Sequence, residues 1–230
     1  MRRTSLAAVA ALLLLAATGC QIIRPTGPPS GRTPVVFVHG WNGSEATWDA
    51  AVAQFEAAGY APGDITVLYY DSSLSASAAA EVLAAEVDHL KAYTGEAKVD
   101  IVSHSFGSMV TKWCIELGGC ANDVAHWMSL AGADNGTSIA GLCAALSASC
   151  ADMAGQTTTI ATLQANWGQI TTQGVEVEVQ WSANDGVIQP ATSSKNPPPA
   201  VNVEVSSTLA HNDLPSNAGV IAEAIAFLAR

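Results

Sequence analysis

The sequence predicts an α/β protein: a mostly parallel, six-stranded sheet between two layers of helices, arranged as a three-layer α/β/α sandwich. Short apolar, β-branched runs alternate along the chain with segments whose apolar residues recur at helical spacing. Such alternation is typical of βαβ units and parallel sheets. The 230 residues suit one domain, and the composition, 49% hydrophobic and 13% charged, is that of a globular protein. We therefore expect one folded domain over residues 33–230.

The first half of this domain contains three predicted strands and two predicted helices. The run "PVVFVHG" is short and continuously apolar, like a strand buried in a parallel sheet. Trp48, Val52 and Phe55 then recur at helical spacing and predict a helix that ends at Gly59. A strand, a helix and a further strand follow in the runs "DITVLYY", "SASAAAEVLAAEVDHLKAYTG" and "AKVDIVSH".

The second half continues the alternation. An apolar stripe predicts a helix over residues 106–117, and "DVAHWMSLAG" is the fourth strand. Residues 131–173 are weakly patterned. The fifth and sixth strands are "GVEVEVQWSAND" and "AVNVEVSS", and an amphipathic helix ends the chain. Because Glu176 and Glu178 alternate with valines, we expect the fifth strand to be half exposed, near its start or near a sheet edge.

The N-terminus carries an export signal. Two arginines precede a short apolar run in "MRRTSLAAVAALLLLAATGC", which is typical of a secretory signal peptide over residues 1–19. The sequence Ala-Thr-Gly-Cys that ends it resembles a bacterial lipobox, which implies that Cys20 is acylated and anchors the protein to a membrane. An ordinary signal cleaved nearby and a retained anchor are the alternatives. Residues 20–32, rich in Pro and Gly, are interpreted as a tether. We expect an exported protein, either a cell-envelope lipoprotein or a secreted one.

The cysteines predict disulfides. The chain has five, an odd number, and four remain if Cys20 carries lipid. An oxidising compartment favours pairing of these four. We expect the local pairs Cys114–Cys120 and Cys143–Cys150, because Gly118-Gly119 lets the chain turn back after a helix. The two other connectivities, and unpaired buried thiols, remain open.

Charge and motifs exclude some partners. Nine Lys and Arg oppose twenty Asp and Glu, a net charge of -11. Phosphate binding needs clustered basic residues, so we expect no nucleic-acid partner. No Cys-x-x-Cys or Cys/His cluster in the sequence indicates a metal site. We expect a monomer that needs no metal or organic cofactor.

Ser105 is the candidate nucleophile. A serine hydroxyl needs a base to accept its proton and a carboxylate to orient that base. Ser105 follows a strand, precedes a helix and lies in Ser-His-Ser-Phe-Gly, close to the Gly-x-Ser-x-Gly turn that exposes a reactive serine. Ser103 stands where that motif has its first glycine, and Gly107 is retained. We expect Ser105 to be activated by residues at other strand ends.

His211 and Asp185 are the candidate base and acid. His211 lies in the loop between the last strand and the last helix, and Asp185 follows the fifth strand. The order serine, acid, histidine is that of α/β hydrolases. Asp134, after the fourth strand, and Asp213, beside His211, are alternative acids. The four other histidines are interpreted as structural residues: His39, His89, His104 and His126.

Two backbone N–H groups are candidate donors to an oxyanion. One belongs to Phe106, directly after the nucleophile. The other belongs to Trp41 in the glycine turn "HGWNG" after the first strand. The alternative interpretation of this turn is purely structural. If both donors act, the predicted site combines Ser105, Asp185 and His211 with these two residues.

These segments resemble the small secreted bacterial lipases and esterases of the α/β-hydrolase fold. The resemblance rests on "VVFVHGWNG", "VDIVSHSFGS", "SLAGADNGT", "WSANDGVIQP" and "LAHNDLP" and covers residues 33–230. It implies a minimal α/β-hydrolase fold and carboxylic-ester hydrolysis through Ser105, Asp185 and His211, with Trp41 and Phe106 as oxyanion residues. In that group alanine often replaces the first glycine of the turn, whereas this chain has serine.

The substrate is less sharply defined by the sequence. Lipid esters are the first expectation. The apolar residues of the 131–173 insertion could line an acyl pocket or simply cover the sheet: Ile139, Leu142, Leu146, Ile160 and Leu163. Alternatives are an esterase on short-chain or polyester substrates, a thioesterase, an acyltransferase, and a non-catalytic surface lipoprotein that binds a ligand.

Overall fold

A computed structural model describes residues 25–230, so the signal peptide, Cys20 and the first residues of the tether lie outside the described residues. Six strands form one sheet in the order β2-β1-β3-β4-β5-β6. Every neighbouring pair is parallel. The strands are β1 Val35–Val38, β2 Ile65–Leu68, β3 Val99–His104, β4 Val124–Leu130, β5 Glu176–Ser182 and β6 Val201–Ser206. The six predicted strands are confirmed.

Seven α-helices connect and follow these strands in the described chain. They are α1 Asp49–Ala57, α2 Ala76–Thr94, α3 Phe106–Glu116, α4 Ala148–Met153, α5 Thr158–Asn166, α6 Gly168–Thr172 and α7 Ala218–Leu228. Short 3₁₀ helices cover Glu45–Trp48, Pro62–Asp64, Cys120–Asp123, Ser138–Leu142, Ala191–Ser194 and His211–Ser216. Helix α2 begins where the Ser75 hydroxyl accepts from the Ala78 N–H, and it ends at Gly95 in the left-handed conformation.

The core lies on both faces of the sheet. Side chains of β1 alternate: Val36 and Val38 pack with α2 and α3, whereas Val35 and Phe37 pack with α1 and α7. The insertion helices α5 and α6 join the first of these two layers. The three-layer α/β/α sandwich is therefore confirmed.

The expectation that β5 is half exposed, near its start or near a sheet edge, holds only for its first residue, because Glu176 is exposed and the other six residues are buried. Strand β5 lies between β4 and β6, and Glu178 is only 1% exposed. Burial raises the pKa of Glu178, and the Arg230 guanidinium, 3.3 Å away, pairs with its carboxylate. The half-exposed edge strand is β6. A strand that alternates charged and apolar residues can thus be buried when a cation from a distant part of the chain pairs with its carboxylate.

The second half of the predicted tether contacts the domain. The Ser30 N–H donates to the Asp64 carboxylate at 2.9 Å, and the Tyr93 hydroxyl donates to the Gly27 carbonyl at 2.6 Å. The Arg32 guanidinium lies 5.2 Å from the ring centre of Tyr60. Packing against the domain thus extends N-terminal to residue 33. Within residues 25–230, no helix is long and apolar enough to cross a bilayer.

Both expected disulfides are present. Cys114 pairs with Cys120, with Cα atoms 5.3 Å apart, and Cys143 pairs with Cys150, with Cα atoms 5.6 Å apart. A side chain at Gly118 would meet the Cys114 Cα at 2.9 Å, so the turn that closes the first pair needs glycine. Disulfides of this kind persist in oxidising compartments, which indicates export.

Candidate active site

Ser105 lies in a sharp turn between β3 and α3. Its φ of 56° and ψ of -125° are rare for a residue with a side chain. Three hydrogen bonds fix the turn: its N–H donates to the Leu130 carbonyl, and its carbonyl accepts from Ser108 and Ala133. This is the strand–turn–helix context that the sequence predicted for a nucleophile elbow. Backbone strain fixed by its surroundings is typical of functional sites.

Two glycines allow the elbow to pack against the end of β1. A Cβ at Gly107 would come within 2.5 Å of the carbonyl oxygens of Val38 and His39, and a Cβ at Gly40 would come within 2.7 Å of the Ser105 Cβ. Real Cβ atoms do not approach so closely. Larger residues at either position would therefore displace Ser105.

Ser103, in place of the first motif glycine, has a structural role. It is fully buried, and its hydroxyl accepts from the Trp127 indole N–H at 2.8 Å and lies 3.0 Å from the Ser108 hydroxyl. A buried donor without an acceptor is costly. The Ser103 hydroxyl therefore provides the acceptor for the indole N–H of a core tryptophan, which a glycine or an alanine would not do.

His211 is paired with Asp185. The His211 Nδ1 lies 2.8 Å from the Asp185 Oδ2, and the other carboxylate oxygen accepts from the Val187 and Ile188 N–H groups, each at 2.8 Å. Burial raises the pKa of Asp185, but the hydrogen bond and charge of His211, with these backbone donors, outweigh it and bring that pKa below its usual value. The ionised carboxylate can only accept, so the proton is on Nδ1 and Nε2 of neutral His211 is a free base.

The two alternative acids have other partners. Asp134 is fully buried, and its Oδ2 accepts from the Ser129 hydroxyl and the Asn196 amide, each at 2.9 Å. Burial raises the pKa of Asp134 to about 6. The Asp213 carboxylate accepts from the Ala210 N–H at 3.0 Å at the start of a 3₁₀ helix. Neither carboxylate contacts His211.

Two histidines have the structural surroundings expected from the sequence. His39 stacks on Tyr70 with ring centres 4.5 Å apart, and the Tyr70 hydroxyl donates to the His39 carbonyl. His126 Nδ1 lies 2.8 Å from the Asp100 carboxylate. His104 differs, because its ring lies 4.5 Å from the ring of His211. The sequence interpretation of His104 as a turn residue missed this contact.

The candidate oxyanion donors lie in the turn after β1 and in the elbow itself. Trp41 is in a turn closed by the Gly43 N–H and the Gly40 carbonyl at 3.1 Å. Phe106 begins α3, where the N–H has no acceptor within the helix. Among the hydrogen bonds of residues 25–230, neither the Trp41 N–H nor the Phe106 N–H donates to a protein group. Both N–H groups thus lack an acceptor among the described residues.

Ser105 and His211 line one cavity of about 640 Å³. Its other walls are largely apolar and include Trp41, Ile139, Ala140, Met153, Val187, Ile188 and both members of the Cys143–Cys150 disulfide. This size and lining suit a small organic ligand. Within residues 25–230, no group of three or more His, Cys, Asp or Glu side chains is arranged to hold a metal ion.

The apolar residues of the insertion divide into three groups. Of the five residues considered from the sequence, only Ile139 lines the cavity. Ile160 and Leu163 are fully buried in the core, and Leu142 and Leu146 are each 85% exposed. Of the two interpretations, the acyl pocket therefore holds for Ile139 and the cover for the sheet holds for Ile160 and Leu163, whereas Leu142 and Leu146 fit neither.

Thr137 connects the insertion to the loop that carries Asp185. Its hydroxyl donates to the Val187 carbonyl at 2.6 Å and accepts from the Gln189 N–H at 3.0 Å. The Ser138 N–H adds a bond to the Gln189 carbonyl. The wall of the cavity and the acid loop therefore form one packed unit.

A parallel sheet with a strained serine after a central strand, and a histidine–carboxylate pair beside it, defines the α/β hydrolases as the class of this protein. A family model described as Lipase (class 2) matches residues 32–211. The chain belongs to this family of lipases, which are carboxylic-ester hydrolases.

Solved structures show the same fold. The propeptide form of Bacillus licheniformis lipase BlEst2 superposes with a TM-score of 0.75 at 18% identity, over 89% of this chain and 52% of that one. Its mature form gives a TM-score of 0.69 at 18% identity, over 88% of this chain and 94% of that one. Aspergillus fumigatus lipase B gives a TM-score of 0.71 at 18% identity, over 87% of this chain and 53% of that one. This chain thus spans about half the length of two of these proteins.

Proposed function

We propose that this protein hydrolyses carboxylic esters through an acyl-enzyme on Ser105, with His211 as base and Asp185 as the acid that orients it. The observation that supports this most directly is the strained turn of Ser105 beside a cavity that His211 also lines. The 2.8 Å contact between His211 and Asp185 supports the role of the acid. All these groups come from one chain, so a monomer is sufficient.

The proposed reaction has two halves. In the first, the Ser105 Oγ attacks the ester carbonyl carbon while the His211 Nε2 takes its proton. Asp185 stays ionised and stabilises the imidazolium. The C–O bond to the alcohol then breaks, and His211 gives its proton to the leaving alcohol. In the second half, His211 takes a proton from water, the hydroxyl attacks the acyl carbon, and Ser105 recovers its proton as the acid leaves.

The backbone N–H groups of Trp41 and Phe106 are proposed to stabilise the oxyanion of each tetrahedral intermediate. Phe106 is at the N-terminus of α3, where the helix dipole also favours negative charge. Trp41 is brought close by the approach of Gly40 to Ser105. Fixed donors of this kind need no rearrangement as the charge develops.

Lipid esters are the proposed substrates. The cavity is mostly apolar, and the chain beside it carries no charged side chain between Asp134 and Asp152. Within that stretch Leu142 and Leu146 are almost fully exposed. They lie on either side of Cys143, whose position is fixed by its disulfide. Exposed apolar patches mark surfaces that bind apolar partners. A lipid–water interface would cover these two leucines as the ester enters the cavity.

The Leu142→Ser, Leu146→Ser double variant should distinguish lipids from small soluble esters. We expect hydrolysis of emulsified triglyceride to fall by at least about tenfold, because two side chains lose their apolar burial. Hydrolysis of soluble p-nitrophenyl butyrate should stay within about twofold of wild type, because neither leucine lines the cavity. Rates on p-nitrophenyl esters of rising acyl length and on the emulsion measure both effects.

The matched control is Leu117→Ser. Leu117 is 42% exposed within the other disulfide loop and does not line the cavity. It should leave both activities near wild type. If the double variant keeps full activity on the emulsion, the two leucines are not part of a lipid-binding surface. A preference of the wild type for short acyl chains would favour the short-chain esterase instead.

Cys20 is proposed to carry lipid and to anchor the protein in the cell envelope. The proposal rests on the lipobox-like sequence, and the two disulfides support export. Wild-type protein should partition into the detergent phase of a Triton X-114 extract, and a Cys20→Ala protein should move to the aqueous phase. Both proteins in the aqueous phase would favour a secreted protein without a lipid anchor, and both in the detergent phase would favour a retained anchor.

A further inference from the structure

His104 connects the nucleophile to its base. It ends β3 directly before Ser105, and its Nε2 lies 3.1 Å from the main-chain carbonyl oxygen of His211. A carbonyl can only accept, so His104 is the donor. Among the hydrogen bonds of the described chain, this is the only one that joins the elbow, residues 103–107, to the loop of residues 207–216.

Two other hydrogen bonds hold the main chain of this loop, one from the end of β5 and one from the turn after it. The Ser182 hydroxyl donates to the Leu209 carbonyl at 2.6 Å, and the Asn184 amide donates to the Thr208 carbonyl at 3.0 Å. Both residues belong to the segment that leads to Asp185. They therefore fix the base directly against the acid, and against Ser105 only through the sheet.

The surroundings of His104 keep it neutral. It is 4% exposed, and burial, with the nearby His211, lowers the pKa of His104 to about 3. A neutral imidazole has one N–H, which the carbonyl takes, so His104 keeps a single protonation state across the working pH range of an esterase. It also brings no charge that would oppose the imidazolium of His211 during the reaction.

We propose that His104 is a positioning residue that sets the location of the His211 ring relative to the Ser105 hydroxyl. This inference rests on the proposed function. The proton transfer between these two side chains depends on their separation, and a misplacement of about 1 Å can cost about a hundredfold in rate. His104 lines the same cavity as Ser105 and His211, and its proposed action is through the backbone of His211.

The variants His104→Gln and His104→Met test the role of the N–H. The two replacements are similar in length and shape, but only glutamine can donate to the carbonyl. With p-nitrophenyl butyrate, we expect kcat of His104→Met to fall by about 10- to 100-fold with KM within about twofold. His104→Gln should recover kcat to within about threefold of wild type.

Ser103→Ala is the matched control, because it tests whether a general loss of stability at the end of β3 is enough to lower kcat. It removes the acceptor of the buried Trp127 N–H without touching His211, so we expect a lower melting temperature. Its kcat should stay within about threefold of wild type. Equal losses of kcat in the glutamine and methionine variants, or a methionine variant with wild-type kcat, would overturn the positioning role.

A second readout does not depend on turnover. The His211 Nδ1–H that faces Asp185 should give a downfield proton NMR signal in wild type, in Ser103→Ala and in His104→Gln. The signal should also persist in His104→Met, because the bonds from Ser182 and Asn184 still hold His211 beside Asp185. Loss of the signal in His104→Met would contradict the inference, because the fall in kcat would then come from a broken histidine–carboxylate pair. If the wild type shows this signal but turns over no ester, the proposed function fails and the positioning contact stands.

Discussion

Replacement of Ser105 by alanine is expected to lower kcat/KM for ester hydrolysis by at least about 10⁴-fold. Alanine keeps the Cβ that packs against Gly40 but removes the oxygen that would carry the acyl group. The fold should be unaffected, because the bonds that fix the turn are main-chain bonds to Leu130, Ser108 and Ala133. Kinetics with p-nitrophenyl butyrate, beside circular dichroism and thermal melting, measure both expectations.

Ser108→Ala is the matched control for this substitution. Ser108 is three residues further on, in α3, and is fully buried, and its hydroxyl contacts Ser103. It has no part in the proposed chemistry, so its kcat/KM should stay within about threefold of wild type. Turnover at the wild-type level in Ser105→Ala would show that the nucleophile is another group.

Replacement of Asp185 by asparagine is expected to lower kcat by about 10³- to 10⁴-fold with little change in KM. The carboxylate accepts the proton on His211 Nδ1 and so leaves Nε2 free to act as base. An amide can donate to Nδ1 instead, which favours the wrong tautomer. The imidazolium that forms in the transition state also loses its counter-charge.

Asp134→Asn is the matched control for the acid, because Asp134 is also a buried carboxylate that follows a strand of the sheet. It contacts Ser129 and Asn196 and not His211. We expect lower thermal stability and a kcat within about tenfold of wild type. A larger loss of kcat in Asp134→Asn than in Asp185→Asn would transfer the role of the acid to Asp134.

The sheet was predictable because each buried strand is a short, continuous apolar run between turn residues. Strand β5 shows where this pattern is insufficient. The alternation of Glu176 and Glu178 with valines is typical of an exposed strand, but Arg230, at the end of the chain, neutralises Glu178 in the folded protein. A partner 52 residues away in sequence leaves no local signal.

The order of the site residues along the chain and their placement at strand ends were predictable from the sequence. The structure brings Ser105 and His211 to one cavity and pairs His211 with Asp185, and the catalytic roles of these residues stay predictions. Sequence alone favoured Asp185 and kept Asp134 as an alternative, because both follow strands. Only the folded chain shows which carboxylate reaches the histidine.

The residues that support the site were not predictable. His104 contacts a main-chain carbonyl 107 residues away, and main-chain groups carry no sequence signal. Ser103 satisfies Trp127 on the neighbouring strand, which depends on the register between β3 and β4. Parts of the insertion lie in the core, in the cavity wall and in an exposed loop. Its disulfide and Thr137 fix this arrangement, and its sequence has no clear periodicity that would predict it.

Covalent labelling with a fluorophosphonate probe, followed by peptide mass mapping, tests the central claim most directly. The probe reacts only with an activated serine. We expect wild-type protein to gain one adduct, on the peptide that contains Ser105. The adduct should be absent in Ser105→Ala, and it should form much more slowly in His211→Ala. A wild-type protein that takes no label, or an adduct on another serine that persists in Ser105→Ala, would contradict the account.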